Sequence, residues 1–139
     1  MILPHPAGAI WPLLFSCLGV TAAMAADLTA SASVGDDVLL ASYYEIHHDS
    51  CLALQAPRVR VTAAPDLGSA TVVRIQQQPV RIGGRCGTMA VPVTQVRYRA
   101  RQPGVDSLVW EVRYQAGNTG ADQVAAEVRV APPRPAARR

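Results

Sequence analysis

From residue 58 onward, apolar and polar residues alternate along this chain with a period of two. In RVRVTA, Val59, Val61 and Ala63 share one face, while Arg58, Arg60 and Thr62 share the other. In VRYRAR, Val96, Tyr98 and Ala100 oppose Arg97, Arg99 and Arg101. Leu108, Trp110, Val112 and Tyr114 oppose Val109, Glu111 and Arg113. Val124, Ala126, Val128 and Val130 oppose Ala125, Glu127 and Arg129. Successive side chains of a strand point to opposite faces, so each stretch predicts a strand with one buried face. Weaker strands are expected over Thr71–Gln76 and Val80–Ile82.

Turn chemistry separates these stretches. APDLGS at 64–69, IGGRCG at 82–87, QPG at 102–104 and AGNTGAD at 116–122 supply glycine for positive φ, with Asn118 tolerant of it. The last of these is expected to close a hairpin between the two longest strands. Short strands with polar turns between them predict two antiparallel sheets packed as a sandwich. Val38–Ile46 is ambiguous: Leu39, Leu40, Tyr43 and Tyr44 fit helical spacing, but the β-rich surroundings and paired tyrosines favour a strand. APPRPAARR, residues 131–139, is too rich in proline to join a sheet interior. Residues 132–139 are therefore expected to form a disordered tail.

Composition narrows the chemistry. Half of the 139 residues are apolar and 5% are aromatic, which allows a core built from Val, Leu, Ile and Ala. All thirteen basic residues are arginines. The lack of lysine excludes a P-loop, a lysine Schiff base and a kinase-type catalytic lysine. The formal net charge is +3. It resides in Arg134, Arg138 and Arg139; the remaining ten arginines balance ten carboxylates. Alternating arginines on sheet faces, without aromatic platforms, do not form a nucleic-acid surface.

Ile10–Val20 is a short apolar run followed by Ala23 and Ala25, the small residues a signal peptidase accepts. A secretory signal over residues 1–25 is expected, with a domain at 26–131 that keeps no membrane span and works in the periplasm or outside the cell. Cleavage removes Cys17 and leaves Cys51 and Cys86, an even count that predicts a disulfide. Closing a loop of about 35 residues stabilises by roughly 3–4 kcal/mol in the chain-entropy account.

APRVRVTAAPDLGSATV and VRYRARQPGVDSLVWEV, through Pro65, Gly68, Tyr98, Gly104, Asp106, Leu108 and Trp110, resemble the bacterial immunoglobulin-like domains of the cadherin-like, tandem-repeat type. The likeness is closest to a single-domain, exported, two-cysteine variant and spans Pro57 to Val130. It implies an all-β, immunoglobulin-like antiparallel β-sandwich with one disulfide, and Trp110 packed in the core against the bridge. Calcium sites of that family lie between successive domains. This chain carries one copy, so Asp36, Asp37 and Asp106 have little claim to calcium, and Asp106 is read as a turn residue bonded to nearby amides.

YYEIHHDSC, residues 43–51, is the densest cluster of chemistry. His47, His48 and Asp49 are possible metal ligands. Adjacent strand residues face opposite ways, however, so the stretch is read as a polar strand end leading into the bridge. Tyr43 and Tyr44 are the candidate contact surface, because tyrosine suits interfaces and one of the two must point away from the core. No Gly-x-Ser-x-Gly elbow or His-Glu-x-x-His pair is present. The expectation is a non-catalytic module without a cofactor, binding a protein or surface glycan of the cell envelope, with self-association through a sheet edge open to it. The competing expectation is a small periplasmic metal-binding protein using His47, His48 and Asp49.

Overall fold

Alternation decides which side of each strand is buried, and the observed pairing follows it. A computed structural model describes residues 25–116 and 120–137. The strands are β1 (Leu28–Ser33), β2 (Asp37–Tyr43), β3 (Ile46–His47), β4 (Leu52–Ala53), β5 (Arg58–Ala63), β6 (Gly68–Gly83), β7 (Gly87–Ala100), β8 (Gly104–Arg113) and β9 (Asp122–Ala131). One sheet has the order β1-β9-β8-β5, the other β2-β7-β6, and β3 and β4 form a small ribbon. These two main sheets reproduce the C-F-G and B-E-D groupings of an immunoglobulin sandwich, with β1 added beside β9. The chain is an all-β sandwich with one disulfide.

The core lies between the sheets. Val96, Tyr98 and Ala100 of β7 meet Leu108, Trp110 and Val112 of β8 and Ala126, Val128 and Val130 of β9; Leu40 and Ala32 complete it. These are the faces the alternation assigns inward.

Several details differ from the sequence reading. The sandwich is not wholly antiparallel, because β1 runs parallel to β9, with Leu28 opposite Ala126 and Ser33 opposite Ala131. β1 is absent from that reading: in LTASAS the inward residues are Leu28, Ala30 and Ala32, and the two alanines make the alternation weak. The two weak strands at 71–76 and 80–82 are one strand, the 16-residue β6. The segment 116–122 connects antiparallel neighbours β8 and β9, but the two longest strands are β6 and β7. Residues 1–24, with Cys17 and most of the expected signal, lie outside the described residues, as do Asn118, Arg138 and Arg139. Tail residues 132–137 carry no regular structure, and Arg134 pairs with Asp36 at 2.7 Å.

Asp106 is not a turn residue. It is buried on β8 and reaches a loop 40 positions away in sequence. Its Oδ1 accepts from the amides of Asp66 (2.9 Å) and Ser107 (3.0 Å); Oδ2 accepts from Leu67 N (2.9 Å) and from the Tyr98 hydroxyl (2.7 Å). Burial alone would raise this carboxyl, but the Tyr98 hydroxyl and the three amides outweigh it and hold its pKa below the ordinary value. Burial, then the bond to Asp106, pushes the Tyr98 hydroxyl well above its own. The site also needs glycine at 68, because a Cβ there would collide with the Arg99 carbonyl and come within 2.7 Å of the Tyr98 ring.

Candidate functional site

Strand register gathers three connections at one end of the sandwich. β2 ends at Tyr43, opposite Thr94. β5 begins at Arg58, opposite Arg113, and β9 begins at Asp122, opposite Val112. Residues 44–57, the far half of the β6–β7 hairpin, residues 114–116 and residues 120–121 therefore lie together. Side chains tie them. The buried Glu45 carboxylate accepts from the amides of Gln115 (2.9 Å) and Ala116 (2.6 Å). Gln115 Nε2 donates to Gln55 Oε1 at 3.0 Å, and the Thr94 hydroxyl donates to the Pro57 carbonyl at 2.7 Å.

The β6–β7 hairpin extends past the sandwich as an arm. Its alternation changes phase on β7: Thr94, Val96 and Tyr98 are buried in one parity, Val91 and Val93 in the other. Because strand side chains alternate strictly, the arm buries the face opposite to the one used in the core. Tyr44, Ile46 and Ala53 from the 44–57 connection cover that face, packing with Val80, Ile82, Cys86, Met89, Val91 and Val93 as a second apolar cluster. An irregularity in β6 between Ile75 and Gln78 lies beside this change.

Cys51 and Cys86 form the disulfide, with Cα atoms 5.4 Å apart. It joins the turn after β3 to the arm's tip, where Gly84–Cys86 make one 3-10 turn. Arg85 Nη2 adds a hydrogen bond to the Asp49 carbonyl. Trp110 does not pack on this bridge as expected. It belongs to the main core, and Cys86 belongs to the second cluster.

The sequence-predicted site residues separate. The Tyr43 hydroxyl accepts from Trp110 Nε1 at 2.8 Å. Burial raises its pKa, partly offset by that bond. Tyr44 is half-buried in the second cluster. Both tyrosines face packed interiors, one each side of the phase change, and neither is fully exposed. His47, His48 and Asp49 are exposed at the arm's end, with His47 on β3 opposite Leu52. Among the described residues, no three His, Cys, Asp or Glu side chains gather as a metal would require. Asp36 and Asp37 are paired with Arg134 and Arg97, and all of Asp106's bonds go to this chain.

Glu45 went unread because a lone glutamate between Tyr44 and Ile46 carries no sign that two distant amides will need it. The phase change was visible in MAVPVTQVRYRA, where Val91 and Val93 give way to Val96 and Tyr98 across three residues rather than two. Solvent reaches Leu52, 59% exposed, on the same ribbon as His47. The arm's end thus presents a mixed surface of Leu52, the two histidines and Arg85.

No family model and no curated protein matches the chain. Among solved structures it is similar to the solution structure of amebosin, at 14% identity and a TM-score of 0.49, covering 76% of this chain and 90% of that one. A likeness that distant says nothing of what this chain binds.

Proposed function

We propose that this protein is an exported, non-catalytic recognition module of the bacterial cell envelope, binding a protein or surface glycan through the disulfide-stapled end of its sandwich. The observation that carries this reading is the position of the bridge. Cys51 and Cys86 do not cross the main core; they hold an exposed turn against the tip of a projecting arm. Fixing a surface loop in one shape lowers the ordering cost of binding, which is how a rigid scaffold supports recognition. The bridge also favours an oxidising compartment, in keeping with the signal-like start of the sequence.

The test is co-sedimentation of the purified, bridged domain with isolated cell envelopes. Saturable binding is expected, and Leu52→Asp or the Cys51→Ser/Cys86→Ser pair weakens it about tenfold, for a contact that loses its central apolar residue or its pre-organisation. Binding that does not saturate, or that ignores both variants, would overturn the proposal.

A further inference from the structure

The outer face of the β1-β9-β8-β5 sheet carries an arrangement that folding does not favour. Arg58 on β5 lies directly opposite Arg113 on β8, and Arg60 lies opposite Glu111. Like charges placed directly across a sheet are destabilising. Glu111 is the single carboxylate among the three cations. Its Oε1 is 3.0 Å from Arg60 Nη2 and 3.8 Å from Arg113 Nε. Arg58 makes no salt bridge among the described residues. Arg58, Val59, Arg60, Glu111 and Arg113 line an open cleft of about 370 Å³.

Edge protection accounts for part of this. β5 is the last strand of its sheet, and charged residues on an edge discourage pairing with other chains. That explains Arg58 and Arg60. It does not explain Arg113, which sits on an inner strand where an acidic residue would pair with Arg58.

We infer that Arg58, Arg60 and Arg113 form a binding site for the carboxylate groups of an acidic polysaccharide. Guanidinium forks match planar carboxylates with two parallel hydrogen bonds. Arg113 faces Arg58 across neighbouring strands, about 4.8 Å apart, and Arg60 lies about 7 Å further along β5, so the three forks suit successive charged groups along an extended polymer. The cleft has no aromatic side chain to stack a nucleobase, which disfavours nucleic acid. Val59, its one apolar lining residue, packs inward against the core, so the cleft offers no apolar anchor for a protein interface. Glu111 holds Arg60 in place and leaves two of three positive charges uncompensated. This site is separate from the stapled arm and stands if the arm binds nothing.

The test is titration of the purified domain with polygalacturonate, dextran, polyphosphate and a single-stranded oligonucleotide. Binding to polygalacturonate is expected, weakening as salt screens it. Arg58→Ala and Arg113→Glu each reduce it about tenfold or more, as loss of a forked ion pair does. R113E also places an opposite charge across from Arg58, so its melting temperature stays level or rises. Arg129→Ala, on the same sheet face but outside the cleft, leaves binding unchanged. Equal binding to dextran, insensitivity to R113E, or an equal loss in R129A would overturn the site. Tighter binding to polyphosphate or the oligonucleotide would overturn the ligand assignment.

Discussion

The Tyr98 hydroxyl donates to the Asp106 carboxylate at 2.7 Å, and both side chains are buried. The pair joins β7 to β8 across the sandwich, and Asp106 extends the link to the loop amides of Asp66 and Leu67. Removing the Tyr98 hydroxyl takes one of four donors from the buried Asp106 carboxylate, whereas changing Asp106 disturbs all four bonds at once. Tyr98→Phe is expected to cost about 1–2 kcal/mol, and Asp106→Asn about 2–4 kcal/mol because its amide nitrogen would face N–H donors. Chemical denaturation of both single variants and the double variant should show the double costing less than the sum, since the two share one bond.

This pair also contributes to the pH dependence of the fold. The Asp106 pKa is lowered on folding, so its contribution is complete above the unfolded value of about 4 and is lost as pH falls through the folded value. The Tyr98 pKa is raised, so its contribution is complete below the unfolded value of about 10 and is lost as pH rises beyond it. Denaturation curves across pH should show an acid limb that is reduced in Asp106→Asn and an alkaline limb that is reduced in Tyr98→Phe, while Tyr43 and Tyr114, also raised, keep part of the alkaline limb.

Gly68→Ala is expected to destabilise by about 3 kcal/mol, because the new methyl group meets backbone and a buried ring that have no room to move. A thermal melt tests it. A loss no larger than the fraction of a kcal/mol typical of an open surface site would mean that β6 shifts away from Tyr98.

The Cys51→Ser/Cys86→Ser variant should lose stability unevenly. The bridge anchors the arm, so roughly 3 kcal/mol of chain-entropy stabilisation is expected to leave mainly from there. Hydrogen exchange should quicken at Ile46, Leu54 and Val91 while Val96–Ala100 and Leu108–Val112 keep most of their protection. Uniform loss across both groups would show that arm and sandwich unfold as one unit.

Glu45→Ala frees the amides of Gln115 and Ala116 and removes the tie between two connections. A cost of about 1–3 kcal/mol is expected, with exchange at those two amides rising first. Protection unchanged at 115–116 would show that other contacts hold that loop.

The sequence by itself determined the inward faces of β8, β9 and the Val96–Ala100 half of β7, the turns between strands and the pairing of Cys51 with Cys86; Ala63 and Tyr114, assigned inward by the same alternation, are exposed at strand ends. The features so determined are local or nearly forced: a period of two assigns each side chain to a face, and Cys51 and Cys86 are the two cysteines among the described residues. Tertiary structure alone decided that β1 would lie parallel to β9, and that Asp106 would serve a loop 40 residues away. It also placed Glu45 beneath two amides of another connection and set Arg113 across from Arg58. A lone carboxylate or arginine looks the same in sequence whether it meets solvent or a distant strand. Its partner is chosen by the register of strands that pair only once the whole sandwich has closed.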